Sequence, residues 1–136
     1  MSARLMPVFA DSREAMAPAA RRDARPIDLV YLSRQTLGER ELEVELLGLF
    51  ERQAGLILRQ IDLAATSRSG QDLAHTLKGS ARAVGAGAVA DTAAAYEACL
   101  HDGAGETRVA NAREALREAI DEARAEVAAL LADSNG

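Results

Sequence analysis

The chain has 136 residues, with 16 basic and 21 acidic side chains and a formal net charge of −5 at pH 7. This length corresponds to about one domain, and the negative charge argues against nucleic acid or an anionic membrane as a partner. Aromatic residues make up only 3% and tryptophan is absent, so platforms that stack on bases or sugars are not expected.

The cysteine count and the lack of long apolar stretches both suit the cytoplasm. Cys99 is the single cysteine, which excludes an internal disulfide and a multi-cysteine metal site and suits a reducing environment. The longest apolar stretch near the start, "LMPVFA", is too short for a secretory signal core and far short of the roughly 18 residues that a membrane span needs. We therefore predict a cytoplasmic protein without a membrane segment.

Residues 1–26 are rich in alanine, arginine and proline and show no sustained apolar period, which predicts a flexible N-terminal arm. Order is predicted to begin near residue 27. Asp28 is placed to cap a short helix that runs through Leu29, Tyr31 and Leu32, and Gly38 is predicted to end it.

A long helix is predicted over 39–66, because apolar residues recur there at alternating spacings of three and four. Further leucines flank this stripe, so the apolar face is wide and we expect it to be buried on more than one side. The stripe and its flanks comprise Leu47, Phe50, Ala54, Ile57, Ile61 and Ala64, with Leu42, Leu46, Leu49 and Leu56 beside them.

Turn signals divide the rest of the chain. "TSRSG" at 66–70 predicts a turn, and helices are then predicted at 71–84, 87–101 and 106–132, separated by Gly85 and by "HDGAG". No segment alternates with period two for long enough to form a strand. We predict an all-α fold over 27–132, an antiparallel four-helix bundle with a short additional N-terminal helix, followed by a disordered C-terminus at 133–136.

The helix predicted at 71–84 has two distinct faces on a helical wheel. Leu77 and Val84 point to the apolar side, and His75 points the opposite way, toward solvent. The residues within about 60° of His75 are Gln71, Lys78, Gly79 and Arg82. Glycine costs roughly 1 kcal/mol relative to alanine inside a helix, and at Gly79 it leaves bare surface one turn from the imidazole.

The chemistry that suits this face is nucleophilic attack on a phosphoryl group. Neutral imidazole can attack an electrophile without a separate base. Lys78 and Arg82 add two cations on the same face, where they can neutralise the oxygens of a phosphoryl group during transfer. We interpret His75 as the candidate nucleophile.

The run "HTLKGS" at 75–80, followed by Gly85 ten positions after the histidine, closely resembles the H-x-L-K-G-S-S signature of histidine-containing phosphotransfer (HPt) domains. The resemblance covers about 27–132. It extends to the Leu/Phe-rich helix before the histidine and to the pair Tyr96 and Glu97, which stands where the family has a hydrophobic residue followed by glutamate. The chain departs from the signature at Ala81, where the family often has a second serine, and we expect Ala81 to pack.

The resemblance implies a phosphoryl carrier without an ATP-binding or kinase domain of its own. His75 would accept the group from an aspartyl phosphate on one receiver domain and pass it to another. Lys78 and Arg82 would steady the group, and Glu97 would hold Nδ1 of His75 and leave Nε2 as the nucleophile. Gln71 and Gly79 would belong to the docking surface.

The expected partners are receiver domains of response regulators, with a hybrid histidine kinase as a further candidate. We expect no nucleic acid, no metal and no cofactor on this chain, with Mg²⁺ only on the partner receiver domain, and a monomer.

A sensor-kinase dimerisation helix would place an acidic residue directly after its histidine and a proline soon after, and "HTLKGS" has neither. A metal site is disfavoured, because only His75 and His101 are available and no His or Cys lies at ligand spacing on the same helix face. A helical adaptor that binds receiver domains without transferring phosphate remains the alternative. His101 is either a second group near the site or a cation favoured at a helix end.

Overall fold

A computed structural model describes the backbone of residues 25–135 and the side chains of residues 25–133. Five α-helices make up most of this part of the chain, and none of its residues lies in a β-strand. The all-helical prediction is confirmed. The helices are α1 (Leu29–Thr36), α2 (Arg40–Asp62), α3 (Ser67–Val84), α4 (Gly87–His101) and α5 (Glu106–Asn135).

The four longer helices enclose one core. α2 packs against α3 and α5, and α4 also packs against α3 and α5, while the short α1 rests on α2 and α3. Many of the buried positions are alanines, which allow neighbouring helices to approach closely. The largest fully buried side chains of the described residues are Ile27, Leu32, Leu47, Leu77, Leu116, Ile120, Val89, Val127 and Thr36.

The predicted turn at 66–70 is wrong. Thr66 is instead the N-cap of α3, because its hydroxyl accepts a hydrogen bond from the backbone N–H of Ser69 at 3.0 Å, and α3 begins at Ser67 rather than at residue 71. Gly70 lies inside the helix, where an added Cβ would come within 2.7 Å of Leu100 Cδ1. Gly70 therefore allows α3 and α4 to approach each other and does not belong to a turn.

The start of α1 agrees with the prediction, and its end differs from it. Asp28 caps the helix through a 3.0 Å bond from the backbone N–H of Tyr31, as expected. The helix ends at Thr36. The next two residues are both left-handed, Leu37 with a φ of 54° and Gly38 with a φ of 77°. Gly38 is therefore the second left-handed residue of this helix end, and its N–H bonds back to the carbonyl of Ser33 at 2.9 Å.

Two predictions about α2 need correction. The helix ends at Asp62, four residues before the predicted end at 66. The predicted stripe from Leu47 to Ile61 is buried, but Leu49 and Leu56 are exposed. The apolar face of α2 is thus wider than the core that the bundle places against it.

The chain ends were predicted to be disordered, and most of them lie outside the described residues. Of the predicted arm at 1–26, only residues 25 and 26 are described, and Arg25 forms an ion pair with Glu126 of α5. At the other end, α5 continues past the predicted end at 132 to Asn135.

Candidate functional site

His75 stands on the solvent face of α3, about two and a half turns before the end of the helix at Val84. Its side chain is 69% exposed, while Leu77, two residues on, is completely buried. Ala81 is also fully buried, as expected for the position that departs from the HPt signature. The amphipathic pattern of α3 therefore holds the imidazole at the surface without using it for packing.

Glu97 of α4 links the exposed histidine to a lysine. Its Oε2 lies 3.1 Å from His75 Nδ1, and its Oε1 accepts a 2.9 Å hydrogen bond from Lys78 Nζ. Lys78 is half-buried between the two helices. One carboxylate thus holds both groups, one on each oxygen.

The charge state of Glu97 determines the tautomer of His75. The hydrogen bond from Lys78 lowers the pKa of Glu97 below its ordinary value, and the charge of Lys78 and the bond to His75 act in the same direction against partial burial. An ionised carboxylate has no proton to donate. The shared hydrogen must therefore be on His75 Nδ1, which leaves the lone pair of a neutral ring on Nε2.

The remaining residues predicted for the site differ in their surroundings. Gly79 is exposed, and a Cβ added to it would meet no atom within 4 Å, so the surface one turn after His75 is open. Arg82 is exposed a further turn along α3. Gln71, one turn before His75, donates a 3.1 Å hydrogen bond to Ser67 Oγ.

Two contacts at the ends of the site were not predicted. Ser67 Oγ donates to the carbonyl of Leu100 near the end of α4, at 3.3 Å, and so helps to join α3 and α4 beside Gln71. Ser80 Oγ donates to Gln53 Oε1 on α2 at 2.7 Å. Both contacts depend on how neighbouring helices are aligned, and this alignment cannot be predicted from the residue types alone. Of these residues, Ser80 belongs to the "HTLKGS" run.

His101 is the last residue of α4 and is exposed. Within the part of the chain that the structure describes, no group of three or more His, Cys, Asp or Glu side chains is arranged to hold a metal ion. None of the described helices is long and apolar enough to cross a lipid bilayer.

Comparison with protein families gives one match. The model of the Hpt domain matches residues 45–130, which is well over half of the chain and includes α3 and α4 entirely. The chain belongs to the Hpt domain family. The recognition made from "HTLKGS" is thereby confirmed, and membership implies involvement in phosphorelay phosphotransfer and interaction with receiver domains and histidine kinases. Hpt domains are phosphoryl carriers rather than kinases. No curated protein and no solved structure matches the chain.

Proposed function

We propose that this Hpt domain carries a phosphoryl group on His75 between two receiver domains. The observation that carries the proposal is the exposed imidazole whose Nδ1 is bonded to the Glu97 carboxylate at 3.1 Å, beside the open surface at Gly79. This arrangement supports a nucleophilic Nε2 that a partner can reach.

The proposed transfer exchanges one bond to phosphorus for another. The lone pair of His75 Nε2 attacks the phosphorus of a receiver aspartyl phosphate, a P–N bond forms, and the P–O bond to the aspartate breaks with the electron pair leaving on the carboxylate. The proton on Nδ1 stays in its bond to Glu97, which stabilises the positive charge that develops on the ring. The reverse sequence passes the group to the second receiver.

Two cations support the step in different ways. Lys78 neutralises Glu97 in the resting state, which keeps the carboxylate ionised despite its partial burial. Lys78 follows His75 by three residues on the same helix, so its ammonium group can also approach the oxygens of the phosphoryl group. Arg82 is exposed on the same face and adds a charge that attracts a phosphorylated partner.

The partners proposed here are receiver domains of response regulators, with a hybrid histidine kinase as a further candidate. Gln71 and Gly79 belong to the proposed docking surface, since they lie one turn before and after His75. We propose that the chain needs no cofactor of its own and that Mg²⁺ is held by the receiver. Short connections of two to four residues between the long helices support an antiparallel four-helix arrangement.

The test is incubation of the full chain with phosphorylated receiver domains, followed by detection of acid-labile phosphohistidine. His75→Gln should abolish acceptance with an unchanged circular dichroism spectrum, because the side chain faces solvent and packs little. His101→Gln makes the same change at the other histidine and should still accept the label. Acceptance by His75→Gln would show that another residue is the carrier.

A non-transferring adaptor is the second candidate, because it would use the same bundle and the same docking surface. It predicts that phosphorylated receivers bind the chain but never lose their label to it. The ionised Glu97 bonded to Nδ1 favours transfer, since binding alone does not need a defined tautomer.

A further inference from the structure

A phosphoryl group carried on His75 would stand in contact with water. The imidazole side chain is 69% exposed. A Cβ added to Gly79, one turn further along α3, would meet no atom within 4 Å, so the surface beside the ring is open as well. Enzymes protect reactive intermediates from hydrolysis by excluding water from the site. An imidazole exposed to this extent gives a phosphoryl group no such protection.

The proton on Nδ1 determines how easily the bond between phosphorus and Nε2 breaks. When Nδ1 carries a proton, the electron pair of the broken bond returns to Nε2 and the ring leaves as neutral imidazole. When Nδ1 carries none, the ring would have to leave as an anion, which is a much poorer leaving group. A phosphorylated histidine is therefore reactive toward water for as long as its second nitrogen stays protonated.

Glu97 is placed to hold that proton on the phosphorylated ring. Its Oε2 lies 3.1 Å from Nδ1, and its Oε1 accepts the 2.9 Å hydrogen bond from Lys78. The side chains of Glu97 and Lys78 are only 25% and 19% exposed, so water weakens their charges less than it would at the surface. Lys78 keeps the carboxylate ionised by lowering the pKa of Glu97, and an ionised carboxylate at this distance favours a protonated ring.

Other charges on the helices packed around the site act on the imidazole less directly. The charged or titratable side chains on these neighbouring surfaces are Arg68, Asp72 and Arg82 on α3, Arg52 on α2, Asp28 at the start of α1 and His101 at the end of α4. All of them are exposed, so solvent weakens their influence. Glu97 is the charged group that is bonded to the ring.

We propose that the phosphorylated form of this Hpt domain releases its phosphoryl group to water without a partner, at a rate that Glu97 sets by keeping the phosphorylated ring protonated. This inference rests on the function proposed for His75. A water oxygen attacks the phosphorus, the P–N bond breaks, and its electron pair returns to Nε2. Both hydrogens of the water leave with the phosphate as H₂PO₄⁻, and the neutral ring keeps its proton on Nδ1. A phosphoryl group that no receiver takes up is thus lost with time.

The test measures hydrolysis of the phosphorylated full chain between pH 6 and pH 8. Phosphoramidate is a small phosphoryl donor that reacts with imidazole, so it labels the chain without a receiver domain. After its removal, ³¹P NMR follows the loss of phosphohistidine and the appearance of inorganic phosphate. The hydrolysis rate of the parent should change by less than about twofold over this range, because an ionised Glu97 keeps the ring protonated throughout.

Glu97→Gln removes the charge and keeps the size of the side chain. Its phosphorylated ring should lose the Nδ1 proton in the ordinary range of imidazole, at about 6.5, and hydrolysis at pH 7.5 should therefore be roughly tenfold slower than in the parent. Glu122→Gln is the matched control, since Glu122 is exposed on α5, which packs against α2 and α4. It should hydrolyse at the same rate as the parent.

Unfolding in urea separates the effect of the folded site from that of the side chain itself. The unfolded chain no longer holds α3 against α4, so the parent and Glu97→Gln should hydrolyse at equal rates at each pH. A difference that persists in urea would show that the bond between Glu97 and Nδ1 in the folded protein is not its cause, and would overturn the proposal.

Equal rates for the folded parent and Glu97→Gln at pH 7.5 would also overturn it, as would a failure of phosphoramidate to label His75. The function proposed for His75 is tested separately, because it requires label from a phosphorylated receiver. Receivers that pass no label would leave the hydrolysis rates measurable, and an unexpected hydrolysis rate would leave transfer from receivers intact.

Discussion

At the scale of single residues, the site depends on one carboxylate with two neighbours. Glu97 accepts a hydrogen bond from Lys78 on one carboxylate oxygen and contacts His75 with the other. Both bonds favour the ionised form of Glu97. His75 is the only one of the three that is largely exposed, so a partner meets the nucleophile while the charges that prepare it stay between the helices.

Gly79 is the residue where stability and transfer should respond in opposite ways. Gly79→Ala should stabilise the protein by up to roughly 1 kcal/mol, because alanine is the better helix former and its Cβ meets nothing within 4 Å. Gly79→Gln should stabilise less and slow transfer more, since its side chain occupies space one turn from the imidazole. Thermal unfolding and transfer rates of the three proteins are the measurement.

Gly48→Ala is the control for this series, because it changes another glycine inside a helix, on α2. It should stabilise the protein without a change in transfer rate. Equal transfer rates for Gly, Ala and Gln at position 79 would rule out docking as the reason for this glycine.

Glu97→Ala tests how the imidazole is held. Without the carboxylate, His75 should lose its preference for the proton on Nδ1 and approach the tautomer mixture of a free imidazole, and transfer should slow moderately. The ¹⁵N chemical shifts of the two ring nitrogens report the mixture, and His101 serves as the internal reference. Unchanged shifts at His75 would mean that Glu97 does not select the tautomer.

At the scale of helices, the ends were harder to predict than the periodic middles. The apolar period placed α4 at 87–101, in agreement with the structure, because its stripe stops at strong turn signals. The run "TSRSG" contains residues that serve equally well in a turn and in a helix cap. In the structure, the bond from the N–H of Ser69 to the Thr66 hydroxyl caps a helix there, and Leu100 packs where a side chain on Gly70 would stand.

For the site too, positions within one helix could be predicted, but contacts between helices could not. Lys78, Gly79 and Arg82 could be placed beside His75 from sequence, because spacing on one helix determines which residues share a face. The resemblance to HPt domains suggested Glu97. The bond between Lys78 and Glu97 could not be derived, since it requires the register of α3 against α4, which depends on packing across the whole interface.

Gly85 is the left-handed residue that ends α3, and its replacement should cost stability. Its φ is +79°, and an added Cβ would lie 3.0 Å from the backbone oxygen of Asp28. Gly85→Ala should therefore destabilise the protein by more than the roughly 1 kcal/mol expected for a left-handed residue alone. Gly103→Ala is the control, because Gly103 has a φ of +69° but no atom within 4 Å of an added Cβ.

Denaturant unfolding of the two variants isolates the contact with Asp28 as the difference between them. Equal losses of unfolding free energy would show that the segment before α1 adjusts at no cost.

At the scale of the whole molecule, stability should depend on pH through the site. A carboxyl group whose pKa is lowered in the folded state contributes stability above its ordinary pKa, near 4.5 for Glu97, and loses it as the pH falls through the lowered value. The difference in unfolding free energy between the parent and Glu97→Gln should therefore be largest near neutral pH and shrink below about pH 4.5.

Lys78→Ala provides the matched background, because the bond from Lys78 is the largest cause of the lowered pKa. In that background the effect of Glu97→Gln should depend less on pH. Denaturant titrations between pH 3 and pH 7 measure all four proteins. A pH dependence that is identical with and without Lys78 would contradict this account of the carboxylate.

The segment before α1 is bonded to the turn between α3 and α4, since the N–H of Asp28 donates to the carbonyl of Gly85 at 2.9 Å. This amide lies outside any helix, so its hydrogen can exchange with solvent only when the segment separates from the turn or the protein unfolds. Exchange of the single Asp28 amide therefore reports the opening of the N-terminal segment. If that amide exchanges faster than those at the centre of α3, the segment opens while the bundle stays folded.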